Sequence, residues 1–149
     1  MEACLEDIAR DALLGSMRRF KSDGSVRRPL VAVSGYFGAG VLGSEKVAAS
    51  DFIEVLERAV GAYVSRLKTV NGVRERDLHR VLYPVGIVAT DIDPVWLAEI
   101  DSFGKSRGDV AHQSVLTQRP PDPVREKQLV ARLVTGIGTV DRRLQELVK

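Results

Sequence analysis

The chain has 149 residues, a net charge of +2 and a single cysteine. This length suits one domain with one core, so we expect a single domain over residues 1–149, within which a second catalytic domain would not fit. Apolar residues make up 44% and charged residues 28%, which excludes a disordered chain, while the aromatic content of only 5% favours aliphatic helix packing. Composition therefore predicts an all-α helical bundle. The small positive charge does not by itself indicate nucleic-acid binding.

The compartment follows from the first residues and from the cysteine. The start, MEACLEDIAR, is acidic where a secretory signal would be basic, and no apolar run approaches the eighteen or so residues that span a bilayer. The lone Cys4 excludes an intrachain disulfide and a cysteine-based zinc site. We therefore expect a cytoplasmic protein with no membrane partner.

Hydrophobic spacing predicts helices along most of the chain. A first helix covers residues 2 to about 20 and closes near Gly24, a second clear one follows Ser50 and ends at Asn71–Gly72, and a short polar one covers Arg74–Leu82. Asp-Pro pairs at residues 93–94 and 122–123 start the last two helices, because the aspartate caps free N–H groups and proline suits the first helical position. Their apolar stripes are Leu97, Ile100, Phe103 and Val110, then Leu129, Leu133, Ile137, Val140, Leu144 and Leu147.

The glycine-rich stretch of residues 28–46 fits neither helical nor strand spacing, and helix or irregular structure is expected there. Within it, GAGVLG at residues 38–43 matches the dinucleotide-binding pattern Gly-x-Gly-x-x-Gly. It follows the strand-like PLVAVSGYF, but that use also needs a helix opening within the glycines and at least one more βα unit, whereas the rest of the chain predicts helices. A flexible or tightly packed loop is the favoured interpretation.

Motifs for metal or cofactor chemistry are missing from the sequence. It contains no P-loop lysine motif, no His-Glu-x-x-His and no Gly-x-Ser-x-Gly, and its two histidines, His79 and His112, are 33 positions apart. Carboxylates show no ordered ligand spacing, so no metal and no other cofactor is predicted. His79 lies in a polar segment, where a surface position is the ordinary explanation.

Arg107 and His112 are the candidate catalytic residues. Arg107 stands where the next apolar residue of its helix should be. It therefore either extends past the edge of the core into solvent, or meets an anion, or forms a structural ion pair with Asp109 or with an acid on another helix. His112 lies about 140° further round an ideal helix. A guanidinium can hold a phosphate and an imidazole can exchange protons at neutral pH, which is the minimum set for cutting RNA without a metal.

Arg107, four intervening residues and His112, near the end of the penultimate helix, resemble the Arg-x4-6-His signature of the HEPN superfamily. More narrowly, LAEIDSFGKSRGDVAH is similar to the RiboL-PSP-HEPN group, and the resemblance covers residues 45–149. It implies a bundle of four to six helices with two long antiparallel C-terminal helices. It also implies a two-fold homodimer whose motifs line a shared cleft and act as a metal-independent endoribonuclease on RNA. A toxin-like or antiviral effector held in check by an antitoxin or other regulatory partner fits this class.

The surroundings of the motif leave alternatives open. Many HEPN ribonucleases have a polar residue directly after the arginine, where this chain has Gly108, and Asp109 is the candidate to replace it. Lys105, Ser106 and Asp109 are predicted to support the site or bind RNA, and the basic clusters at residues 18–28 and 74–80 are candidates for carrying the RNA backbone. The alternatives are a catalytically inactive HEPN domain that binds RNA, a nucleotide or a protein, and a plain helical dimerisation module.

Overall fold

The computed structural model describes residues 1–42, 52–112 and 122–149, with side chains for all of them except residues 39–42 and 109–112. Six α-helices and no β-strand occur within these ranges, which confirms the all-α class predicted from the sequence. They are α1 (Glu2–Asp23), α2 (Arg28–Leu42), α3 (Phe52–Leu67), α4 (Glu75–Leu82), α5 (Pro94–His112) and α6 (Pro123–Leu147). Two single turns of 3-10 helix, Tyr83–Val85 and Ala89–Asp91, connect α4 to α5.

The ends of three helices follow the local signals in the sequence. Gly24 ends α1 in the left-handed conformation, with φ of 75°, and its N–H donates to the carbonyl of Phe20. The Asp93 carboxylate accepts from the N–H of Val95 at 2.9 Å at the start of α5, and Asp122 accepts from Val124 at 2.9 Å at the start of α6. Both Asp-Pro predictions are confirmed.

Helix α3 ends earlier than the sequence predicts, and its predicted start cannot be compared. The helix ends at Leu67, before the Asn71–Gly72 pair that was expected to end it, and the chain continues through a turn to Gly72 at φ of 138°. The predicted cap at Ser50 lies outside the described residues.

The glycine-rich stretch forms a helix as far as Leu42. Leu30 and Val33 of α2 are fully buried, and burial of this apolar face outweighs the low helix propensity of the glycines. No strand precedes the first glycines of the GAGVLG match, because residues 28–42 are helical. Residues 28–37 are therefore not the strand that a dinucleotide site of that type requires, and the loop interpretation is wrong for residues 38–42.

One core joins side chains from all six described helices. Tyr63 of α3 is its largest fully buried side chain, and its hydroxyl donates to the Val81 carbonyl of α4 at 2.7 Å. Burial raises the pKa of this phenol above its ordinary value. The buried stripe of α5 begins at Trp96, which is 5% exposed and was not expected in it, and continues to Ile100, which is fully buried as expected. Leu97 and Phe103 are half-buried and pack against the core.

The two C-terminal helices run antiparallel, and Trp96 fixes their contact. Its indole N–H donates to the Leu133 carbonyl of α6 at 3.1 Å, while Glu99, further along α5, pairs with Arg132 at 2.9 Å. The indole lies against Gly136, where an added Cβ would be 2.0 Å from Nε1. None of the described helices combines the length and the apolar run needed to cross a membrane.

Candidate functional site

A cleft of about 460 Å³ opens between α5 and the loop that leads into α4. Three arginines and three glycines contribute to its wall: Arg74, Arg76, Arg107, Gly72, Gly104 and Gly108. Two carboxylate residues, Glu2 and Asp77, also line it. We call it the arginine cleft.

Glycines on α5 let the Arg74 loop lie directly against the helix. A Cβ on Gly104 would be 3.2 Å from Arg74 Cγ and 3.4 Å from Arg74 N, both tighter than ordinary contacts. One turn further on, a Cβ on Gly108 would be 3.5 Å from a terminal nitrogen of the Arg74 guanidinium. The Arg74 side chain therefore follows the glycine face of α5 towards the turn that carries Arg107.

Arg107 is exposed at the cleft and is held by an aromatic contact. Its guanidinium carbon lies 5.9 Å from the centre of the Phe103 ring, one turn earlier in α5, within the range of a cation–π interaction. Among the residues whose side chains the structure describes, no carboxylate oxygen lies within 4.0 Å of a guanidinium nitrogen of Arg107 or of Arg74. The structural ion pair considered for Arg107 thus has no partner in that part of the chain.

Asp77 organises the arginines on the α4 side. Its carboxyl group is nearly buried, accepts from the N–H of Arg74 at 3.3 Å, and has Oδ1 3.6 Å from Arg76 Nε and 3.9 Å from an Arg80 terminal nitrogen. Gly72, at φ of 138°, packs so closely that a Cβ there would be 2.8 Å from Asp77 Oδ2. The sequence interpretation missed Asp77 and predicted Gly72 only as a helix end, although an acid three residues after a helix start is half of a capping box.

Asp101 links α5 to the start of α4. It accepts from the N–H of Glu75 at 3.1 Å and from Lys105 Nζ at 2.7 Å. These hydrogen bonds, with that of Lys105 first, lower the pKa of the Asp101 carboxyl below its ordinary value. Lys105, predicted to support the site, is therefore paired with Asp101. Neither Lys105 nor the exposed Ser106 lines the arginine cleft.

The histidine of the motif lies on the same helix as the arginine. The backbone of α5 continues through Asp109 and ends at His112, five residues beyond Arg107. The directions of the two positions differ by about 140° at 100° per residue. The side chains of Asp109 and His112 lie outside the described residues.

The two basic clusters have different surroundings. In the first, Arg19 donates to the Val148 carbonyl at 2.8 Å, Lys21 pairs with Glu57 of α3, and Arg28 approaches Asp91 at 3.9 Å. In the second, Arg74 and Arg76 line the arginine cleft and Arg80 approaches Asp77. Only the second cluster therefore adjoins Arg107 among the described side chains.

Comparison with known proteins does not assign the chain to a family. No family model, no curated protein and no solved structure matches the chain. Across residues 1–38, 52–108 and 122–149, no three His, Cys, Asp or Glu side chains are grouped so that they could hold a metal ion.

Proposed function

We propose that this protein is a metal-independent endoribonuclease in which the arginine cleft binds the RNA backbone and His112 transfers protons. The observation that carries the proposal is the shared cleft of Arg107 with Arg74 and Arg76. Guanidinium groups bind phosphates through parallel hydrogen bonds, and a polyanion is attracted by several cations together. The glycine wall at Gly104 and Gly108 lets the Arg74 side chain lie against α5, on the side of the turn that carries Arg107.

The reaction that these residues would perform is transesterification. His112 removes the proton of a 2′-hydroxyl, whose oxygen attacks the adjacent phosphorus, and the bond from phosphorus to the 5′-oxygen breaks. A proton returns to the departing 5′-oxygen, and Arg107 stabilises the negative charge of the five-coordinate phosphorus. The products are a 2′,3′-cyclic phosphate and a free 5′-hydroxyl. DNA has no 2′-hydroxyl, so it is not a substrate.

A two-fold homodimer of the HEPN type is part of the proposal. Arg107 and His112 diverge by about 140° around α5, which hinders both side chains of one chain from meeting one phosphate. A second copy supplies a second histidine, so a phosphate held by Arg107 of one protomer can meet His112 of its partner, which acts first as base and then as acid. A role as a toxin-like or antiviral effector controlled by a regulatory partner belongs to the same proposal.

The test is incubation of labelled single-stranded RNA with the purified protein in EDTA. We expect the wild type to cut the RNA to fragments ending in cyclic phosphate, while His112→Ala and Arg107→Ala leave it intact. Arg142→Ala, an exposed arginine of α6 that does not line the arginine cleft, is the matched control and should cut as the wild type does. Single-stranded DNA of the same sequence should survive.

Two results would overturn the proposal. Equal cutting by the wild type and by His112→Ala, prepared in the same way, would remove His112 from the reaction. Binding of RNA without cutting by the wild type, weakened by Arg107→Ala and unaffected by His112→Ala, would instead identify an inactive HEPN domain that binds RNA.

A further inference from the structure

A second concave surface lies between α2 and the segment that ends α4. Two adjoining hollows of about 380 and 350 Å³ share Tyr36 and Tyr83, and we call them together the aromatic groove. Phe37 and His79 add two further rings, and three arginines lie along it: Arg28, Arg66 and Arg80. Of the described residues that line the groove, none is an aspartate or a glutamate.

Some aromatic rings of the groove are held by ring contacts, and one is exposed to solvent. His79 stacks on Tyr83 with ring centres 4.3 Å apart and planes 21° apart, and Glu75 lies 3.8 Å from His79 Nε2. Phe37 is half-buried and meets the core Tyr63 edge-on at 6.2 Å. Tyr36, in contrast, is 58% exposed, so a flat ring faces solvent beside a preformed ring pair.

Helix α4 connects the aromatic groove to the arginine cleft. Arg76 lines the cleft and Arg80 lines the groove, one helical turn or about 6 Å further along α4. Both guanidinium groups approach the same oxygen, Oδ1 of Asp77. A strand held at the cleft near Arg76 can therefore reach Arg80 one helical turn further on.

We propose that the aromatic groove is a base-stacking subsite for single-stranded RNA, adjacent to the phosphate bound at Arg107. Open rings accept the faces of unstacked bases, and neighbouring arginines hold the phosphates between them, with no lining carboxylate to repel the strand. An apolar peptide would offer no negatively charged groups to the three arginines. The choice of RNA over other single strands rests on the proposed function.

The test is binding of a short labelled oligoadenylate, followed by fluorescence anisotropy in EDTA. The full chain carries His112→Ala as the parent, so that the probe is not cut. Because stacking of one base on an aromatic side chain is worth roughly 5- to 150-fold in affinity, Tyr36→Ala should weaken binding within that range. Tyr36→Phe keeps the ring and should bind as the parent does. Circular dichroism confirms that each variant folds.

A probe without bases separates stacking from charge. Inorganic polyphosphate should bind the parent and Tyr36→Ala equally, whereas Arg80→Ala should weaken binding of both polyphosphate and oligoadenylate. Arg142→Ala serves as the arginine control and should bind both probes as the parent does. Equal weakening of both probes by Tyr36→Ala would overturn base stacking.

Failure of this inference can be told apart from failure of the proposed function. If the wild type cuts RNA but Tyr36→Ala binds oligoadenylate as the parent does, the groove inference is overturned and the ribonuclease stands. If the wild type does not cut RNA but Tyr36→Ala loses affinity for oligoadenylate alone, the ribonuclease proposal fails and the stacking subsite is supported.

Discussion

The indole ring of Trp96 lies against the backbone of α6 at Gly136, where any Cβ would be 2.0 Å from the ring nitrogen. Gly136→Ala must therefore displace the indole and its hydrogen bond to Leu133, and we expect a loss of about 3 kcal/mol in unfolding free energy. Gly138→Ala, two residues later with nothing within 4 Å of an added Cβ, should gain up to about 1 kcal/mol from helix propensity. Urea unfolding followed by circular dichroism measures both. Similar losses in the two variants would contradict this packing.

Arg107→Ala should leave stability almost unchanged. The side chain is exposed and its described contact is with the Phe103 ring, so we expect a loss below about 1 kcal/mol. Arg143→Ala is the comparison, because Arg143 pairs with Asp91 at 3.0 Å and with Glu146 at 2.9 Å. Its replacement should lower the unfolding free energy by more than that of Arg107. Thermal unfolding of both variants decides the point: a loss for Arg107→Ala as large as that for Arg143→Ala would favour a structural ion pair.

The salt dependence of RNA binding should report on Arg74. Each phosphate contact to a single strand contributes about 0.7 to the slope of log affinity against log salt concentration, through release of counterions. Arg74→Ala, in the His112→Ala parent, should therefore lower the slope for oligoadenylate by about that amount. Arg142→Ala should leave the slope as it is. An unchanged slope for Arg74→Ala would mean that this arginine does not contact the backbone.

Asp101 should make stability depend on pH in the acid range. Its folded pKa is lowered, mainly by the Lys105 hydrogen bond, so its contribution is present above the ordinary pKa and is lost as pH falls through the folded pKa. Asp101→Asn should therefore be less stable than the wild type near neutral pH, with a difference that shrinks below about pH 4. Chemical unfolding across this range tests it. In a Lys105→Gln background the dependence should be weaker, and a difference independent of pH would refute the assignment.

Mixing two inactive variants tests whether the site is shared between chains. If one phosphate meets Arg107 of one protomer and His112 of its partner, a heterodimer of Arg107→Ala and His112→Ala has one intact site. Co-expression of the two variants should then restore part of the RNA cleavage that each lacks alone. No restoration, with heterodimers shown by mass spectrometry, would place both residues of a working site in one chain.

Local signals in the sequence were sufficient for the ends of α5 and α6. The capping acids Asp93 and Asp122 act on N–H groups two residues away, so their effect is contained in a few letters. Helix α2 was ambiguous for the opposite reason. Its glycines disfavour a helix, and the burial of Leu30 and Val33 that overrides them depends on the tertiary structure.

The candidate site could be predicted only in part. Arg107 could be predicted as a candidate because it interrupts the apolar stripe of its helix, and this interruption is visible in the sequence. Its proximity to Arg74 depends on a loop packed against Gly104, thirty residues further along the chain, and such contacts leave no periodic pattern. The same holds for Asp77, whose partners Arg76 and Arg80 are near in sequence but whose burial is a property of the folded core.

Helix α4 has only eight residues, too few for an isolated helix to be stable in water. Its first N–H is bound by Asp101 of α5, and the Val81 carbonyl near its other end is bound by Tyr63 of α3. Anchors from two other helices hold both ends, so Arg76 and Arg80 are carried on a pre-organised scaffold. A ligand that meets these arginines does not bear the conformational entropy of ordering their helix, and its binding energy is available for contacts with its own phosphates and bases.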